Sequence, residues 1–137
     1  VKKQIGYLIP QFPGQTHIFF WREYQALQEL GIEVDFVSTR HPLEGIMSHS
    51  WSEEAKKQTE YLLPLTAKSY IESLFYILSV SPIVWLESIK IALNAEDLSF
   101  LQKIRLLAMI LPAAKLAKLA KQKGWSHVHV GTCADSA

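Results

Sequence analysis

Ile5-Gly6-Tyr7-Leu8-Ile9-Pro10-Gln11-Phe12-Pro13-Gly14-Gln15-Thr16-His17 reads as an apolar strand, a turn rich in Pro and Gly, and the start of an amphipathic helix. The rest of the chain is organised around this stretch. In an open parallel sheet, ligands bind at loops that leave the carboxyl ends of strands. A helix capped by Thr16 at that place would present unpaired backbone N–H groups to an anion. Gly14 lacks a Cβ, which lets its backbone come close to a phosphate. The same Pro13-Gly14 pair also fits a plain strand-to-helix turn, and local sequence leaves both readings open. The spacings of a dinucleotide fingerprint and of a P-loop are absent.

Outward from that stretch, strand and helix signals alternate. Ile5–Phe12 is expected as a strand and Thr16–Leu30 as a helix, with Ile18, Phe19, Trp21, Ala26, Leu27 and Leu30 on its apolar side and Arg22, Glu23 and Glu29 facing water. Gly31 stops the helix, and Ile32–Thr39 follows as a second strand. After a polar loop from Arg40 to Ser50 come a short helix over Ser52–Gln58 and a weak strand over Thr59–Leu65. Helices are then expected from Lys68 to Val80, from Pro82 to Asn94 with Ser81 as N-cap, and from Asp97 to Gly124. Pro112 should kink or split the last, because it lacks the N–H that a helix interior needs. His127–Gly131 reads as a fourth strand, and Asp135-Ser136-Ala137 as the opening turn of another helix. Strands alternating with helices predict an α/β fold with a parallel sheet and helices on its faces. We expect one domain over residues 1–137, incomplete because its final helix has barely begun.

Composition narrows the function classes. The chain has 137 residues, 49% of them hydrophobic and 20% charged, which is the balance of a folded domain. A formal net charge of +1 gives no case for nucleic acid as a partner. Cys133 is the sole cysteine, so neither an internal disulfide nor a cysteine-based zinc site can form, as suits a reducing, cytoplasmic setting. The apolar run Ser73–Leu86 contains Pro82 and is shorter than the ~20 residues of a spanning helix.

Two motifs carry a family resemblance. Phe12-Pro13-Gly14-Gln15-Thr16-His17-Ile18-Phe19-Phe20-Trp21-Arg22-Glu23, followed by Leu27, Gly31, Glu33 and Val34, resembles the amino-terminal signature of retaining GT-B glycosyltransferases of family 4, closest to the colanic-acid-type group. His127-Val128-His129-Val130 resembles that group's His-x-His-x-His strand. The resemblance implies the amino-terminal, acceptor-side half of a two-domain enzyme, Rossmann-like in fold, with the donor-binding carboxyl-terminal domain outside this chain. The complete enzyme would move a hexose from a nucleotide-sugar, a co-substrate and not a cofactor, to a saccharide or lipid-linked acceptor in polysaccharide or glycolipid synthesis. The 137-residue chain alone would be inactive. Two departures stand out: Thr16-His17-Ile18 replaces the usual Ser-Glu-Thr, and Gly131 replaces the third His.

Candidate site residues follow from both readings. Pro13, Gly14, Gln15, Thr16, His17 and Gly131 are the candidates for acceptor or phosphate binding. His127 and His129 share one strand face; His129, nearer the carboxyl end, is the candidate to hydrogen-bond a reacting hydroxyl or phosphate oxygen, and His127 reads as a buried structural histidine. Asp135 reads as a helix N-terminal carboxylate and Cys133 as a bystander, and no metal site has convincing ligand spacing. From Lys103 to Lys123 the charged residues are all basic. Lys115, Lys118 and Lys121 recur every third residue, which fits either a helix lying on an anionic membrane, at the inner face, or an ordinary solvated helix face. The rival to a transferase is a non-enzymatic, flavodoxin-like binding module, since the same pattern of elements suffices for it.

Overall fold

The computed structural model describes residues 3–43 and 50–131. It is α/β, with a four-stranded, all-parallel sheet of Rossmann-like type. The strands are β1 (Lys3–Leu8), β2 (Ile32–Ser38), β3 (Thr59–Tyr61) and β4 (His127–Val130), in the spatial order β3-β2-β1-β4. In register, Tyr7 lies opposite Phe36 on one side and His129 on the other. Side chains alternate along each strand, so these three share one face, while Gly6 and its partners Asp35 and Val128 share the other.

Helix α1 (Ile18–Glu29) covers the first face. Its buried residues are Phe20 and Trp21, which join Tyr7, Ile9, Phe12, Phe36 and Ala55 of α2 (Ser50–Lys57) in one core cluster; Tyr24 packs against it. Positions 20, 21 and 24 follow helical spacing. The expected apolar side was partly misplaced: Trp21 is inside, but Phe19 is 54% and Leu30 76% exposed. On the opposite face the Trp125 ring lies flat against Gly6, where an added Cβ would fall 2.4 Å from it. The Trp125 indole N–H donates to Asp35 Oδ2 at 2.6 Å, Gln4 Nε2 donates to the same oxygen at 2.8 Å, and Lys123 Nζ pairs with Oδ1 at 3.2 Å. One carboxylate thus ties β1, β2 and the approach to β4 together.

Several boundaries differ from expectation for identifiable reasons. β1 ends at Leu8 because Ile9 N–H makes one further bond, to Val37 O at 2.9 Å, and Pro10 has no N–H to continue. α1 begins at Ile18, with His17 and not Thr16 in the cap position. The third strand is only Thr59–Tyr61.

The chain divides into two compact units, Val1–Pro64 with Ala120–Ala137, and Leu65–Leu119. The second is helical: α3 (Ala67–Ser79), α4 (Pro82–Asn94), α5 (Phe100–Ala108) and the first part of α6 (Ile110–Lys123). Thr66 caps α3 by accepting from Ser69 N–H, and Pro82 opens α4 as expected. The long helix expected from Asp97 starts at Phe100, where Ser99 and Gln102 form a reciprocal capping box, and it splits at Met109. Pro112 then sits in the first turn of α6, where the missing N–H costs nothing.

Candidate functional site

The strand order reverses between β1 and β4: the chain leaves β1 toward β2 on one side, and returns from β3 to β4 on the other. Such a reversal opens a crevice at the carboxyl ends of the two strands, which is where ligands settle in this class of sheet. The loop after β1 and Gly131 after β4 stand there. Gly131 N–H donates to Leu8 O at 3.0 Å, holding the end of β4 against the end of β1.

The loop between β1 and α1 is anchored at Phe12 through both its N–H and its carbonyl. Phe12 N–H donates to Ser38 Oγ at 2.9 Å, and Ser38 Oγ–H passes on to Arg40 O at 2.9 Å. Tyr61 O–H donates to Phe12 O at 3.0 Å. Gln11 takes a left-handed conformation, φ 47°, and Phe12–Pro13 is a cis peptide. Gln11, Pro13 and Gly14, with Pro42 and Leu43 of the loop after β2, line a small, open pocket of about 70 Å³. Gln15 and Thr16 are exposed beside it.

At the foot of this loop, His17 turns back onto Gly14. Gly14 N–H donates to His17 Nδ1 at 3.0 Å, and His17 N–H donates back to Gly14 O at 3.0 Å. A Cβ on Gly14 would meet the His17 ring at 2.8 Å. A larger residue at position 14 would therefore have to displace the His17 imidazole. Burial lowers the His17 pKa from its ordinary value, which keeps the ring neutral and Nδ1 able to accept.

From His17 a row of rings runs across the sheet to β4. His17 and Phe20 lie 5.3 Å apart, Phe20 and Tyr7 5.6 Å, and Tyr7 and His129 4.8 Å, each pair edge to face. Phe20 also explains Gly131: a Cβ there would come within 2.6 Å of the Phe20 ring and 3.1 Å of Tyr7. A side chain at position 131 would thus require the Phe20 ring to move.

At the end of the row stands a polar cluster. The Tyr7 hydroxyl donates to Glu23 Oε2, and Glu23 Oε1 lies 4.0 Å from His129 Nε2. Burial, then the hydrogen bond to Glu23 and its charge, push the Tyr7 phenol well above the ordinary tyrosine range, so it stays a donor. His129 is 44% exposed and Glu23 45%, so both remain open to a ligand. Glu23 is exposed, as expected, but its contact with Tyr7 was not foreseen. Glu23 lies sixteen residues after Tyr7 in sequence, and only α1 docking brings the two together. His127, expected to be buried, is exposed on the edge of β4.

The structure brings Pro13, Gly14, His17, Gly131 and His129 onto one side of the β1–β4 junction. Of the lysines, Lys118 is committed to Glu72 of α3 at 2.7 Å, and Lys115 also adds to the field that lowers the Glu72 pKa, in which the Lys118 hydrogen bond comes first. Lys121 is exposed. Cys133, Asp135 and the helix expected from Asp135 lie outside the described residues. Among the described residues, no group of three His, Cys, Asp or Glu side chains could hold a metal ion. No family model, curated protein or solved structure matches the chain.

Proposed function

We propose that this chain is the acceptor-side, amino-terminal part of a nucleotide-sugar-dependent, retaining glycosyltransferase of the GT-B kind. The observation that carries the reading is the reversal of strand order at β1 and β4, with His129 and the Pro13–His17 loop joined across it by the row of rings. The motifs that resemble the family fall on these same two strand ends.

In this reading His129 Nε2 donates a hydrogen bond to an acceptor hydroxyl or to the phosphate oxygen that leaves with the nucleotide. Glu23 faces Nε2 from 4.0 Å and compensates positive charge on the ring. Tyr7 holds the other Glu23 oxygen and so fixes the carboxylate's orientation. The loop pocket beside Gly14 receives part of the acceptor. The donor, by the same reading, binds to a second domain that this chain does not include.

The test is a donor screen by product mass on the protein that carries this chain together with its donor domain. Hexose transfer from a nucleotide-sugar is the expected result, and His129→Ala should lower kcat by about a hundredfold or more. Transfer from no donor, or a turnover untouched by His129→Ala, would overturn the reading or its site respectively.

A further inference from the structure

The unit Leu65–Leu119 wears its apolar residues outside. Among the large apolar side chains of the described residues that are exposed, all but Phe19, Leu30, Leu43 and Val130 belong to it. They concentrate at the turn between α3 and α4. Phe75 is 70%, Leu78 79%, Ile83 66%, Val84 52% and Leu86 63% exposed, and the stretch from Ser73 to Leu86 contains no charged residue. Soluble surfaces seldom leave so continuous an apolar stretch open to water.

We infer that the α3–α4 hairpin tip inserts into the interfacial layer of an anionic phospholipid bilayer. Together the two helices have the length and apolarity of a spanning segment, but they bend by 109° at the break. Neither crosses alone: thirteen residues of helix reach about 20 Å, against about 30 Å of hydrocarbon. A bent, uncharged tip that enters and returns is what such a pair can do. The tip is an exposed bend between two helices and not a groove. A fluid lipid layer accepts that shape without complementary packing, whereas a protein partner needs a matching pocket and satisfied polar groups at the rim.

Charge complements this choice. Basic residues outnumber acidic ones in Leu65–Leu119, and α5 carries Lys103 and Arg105 without an acid, next to the 80% exposed Phe100. Glu72, at the base of α3, is already matched by Lys118. The unit's excess of positive charge thus favours an anionic headgroup layer, while the apolar tip supplies the insertion. This inference concerns a different surface from the β1–β4 site and does not depend on sugar transfer.

The experiment is flotation of the 137-residue chain with vesicles of phosphatidylcholine and phosphatidylglycerol, beside a Leu78→Gln/Ile83→Gln variant. Both positions are exposed and glutamine suits a helix, so circular dichroism should be unchanged. The native chain should float with the vesicles, and the double variant's partition should fall by about tenfold or more. A native chain that stays at the bottom of the gradient, or a variant that floats equally well, overturns the inference. So does a concentration-dependent dimer in sedimentation that the same substitutions dissolve while vesicles have no effect, which would make a second copy the occupant.

Discussion

At the level of single residues, His17 decides what the Gly14 turn can bind. Its Nδ1 accepts from Gly14 N–H, so that donor is engaged by an imidazole in its neutral form. Burial lowers the His17 pKa below the ordinary 6.5. The sign follows directly: the fold favours the neutral ring, so its contribution to stability is fully present above 6.5 and is lost as pH falls through the lowered, folded value. Protonation also turns Nδ1 into a donor facing another donor, which must open the Gly14 contact. The amide proton of Gly14, followed by NMR, should therefore titrate with a midpoint below 6.5, and it should stop titrating in His17→Phe. A midpoint above 6.5 would contradict the burial of the ring. An anion that reaches this loop at low pH would then meet both a charged imidazolium and a released Gly14 N–H.

At the level of elements, Asp35 does for the back of the sheet what the aromatic core does for the front. It sits on β2, accepts from Gln4 of β1 and from Trp125, and pairs with Lys123 at the end of α6. Burial alone would raise its pKa, but the hydrogen bonds from Trp125, Gln4 and Lys123 and the lysine's charge outweigh it and hold the carboxyl below the ordinary 3.8. Its stabilising contribution is accordingly complete above 3.8 and is lost as pH drops through the depressed folded value. Asp35→Ala leaves the Trp125 indole N–H without its acceptor and should cost about 2 kcal/mol in urea unfolding at neutral pH, with the difference from the native chain shrinking in strong acid. An unchanged midpoint would show that the cluster contributes no net stability. None of this was visible in the sequence, where Asp35 reads as a polar strand residue and Trp125 as loop. The elements themselves were legible: alternation and glycine stops gave the four parallel strands, and Ser81-Pro82 gave the start of α4. What periodicity cannot deliver is contact across long sequence separations. Glu23 meeting Tyr7, Trp125 meeting Gly6 and His17 turning back on Gly14 depend on docking or on loop geometry, and they supply most of the candidate site's detail. The Met109 break was half legible, because Pro112 announced a split but its tolerance in a first turn moved the break upstream.

For the molecule as a whole, the two units are built on opposite balances of burial. The buried apolar residues of the described chain all belong to Val1–Pro64, with the exceptions of Ala92, Pro112 and Ala114. Tyr7, Phe12, Phe20, Trp21 and Phe36 form one aromatic cluster there, and such side chains cost about 3–5 kcal/mol each to truncate. Leu65–Leu119 buries mainly small side chains, and its buried Ser73 hydroxyl and Trp85 indole N–H find no hydrogen-bond partner among the described residues. Its helices therefore rest on their own caps, the box at Ser99 and the Thr66 cap among them, more than on packing. Opening such helices exposes little apolar surface beyond what is exposed already, so it takes less free energy than opening the sheet. Amide hydrogen exchange should consequently separate the two: β1, β2 and α1 should exchange slowest, at the rate set by global unfolding. Amides of α3, α4 and α5 should exchange faster, with a weaker dependence on urea because less surface is released. Equal protection in both units, with equal urea dependence, would mean that the helices fold as one cooperative body with the sheet.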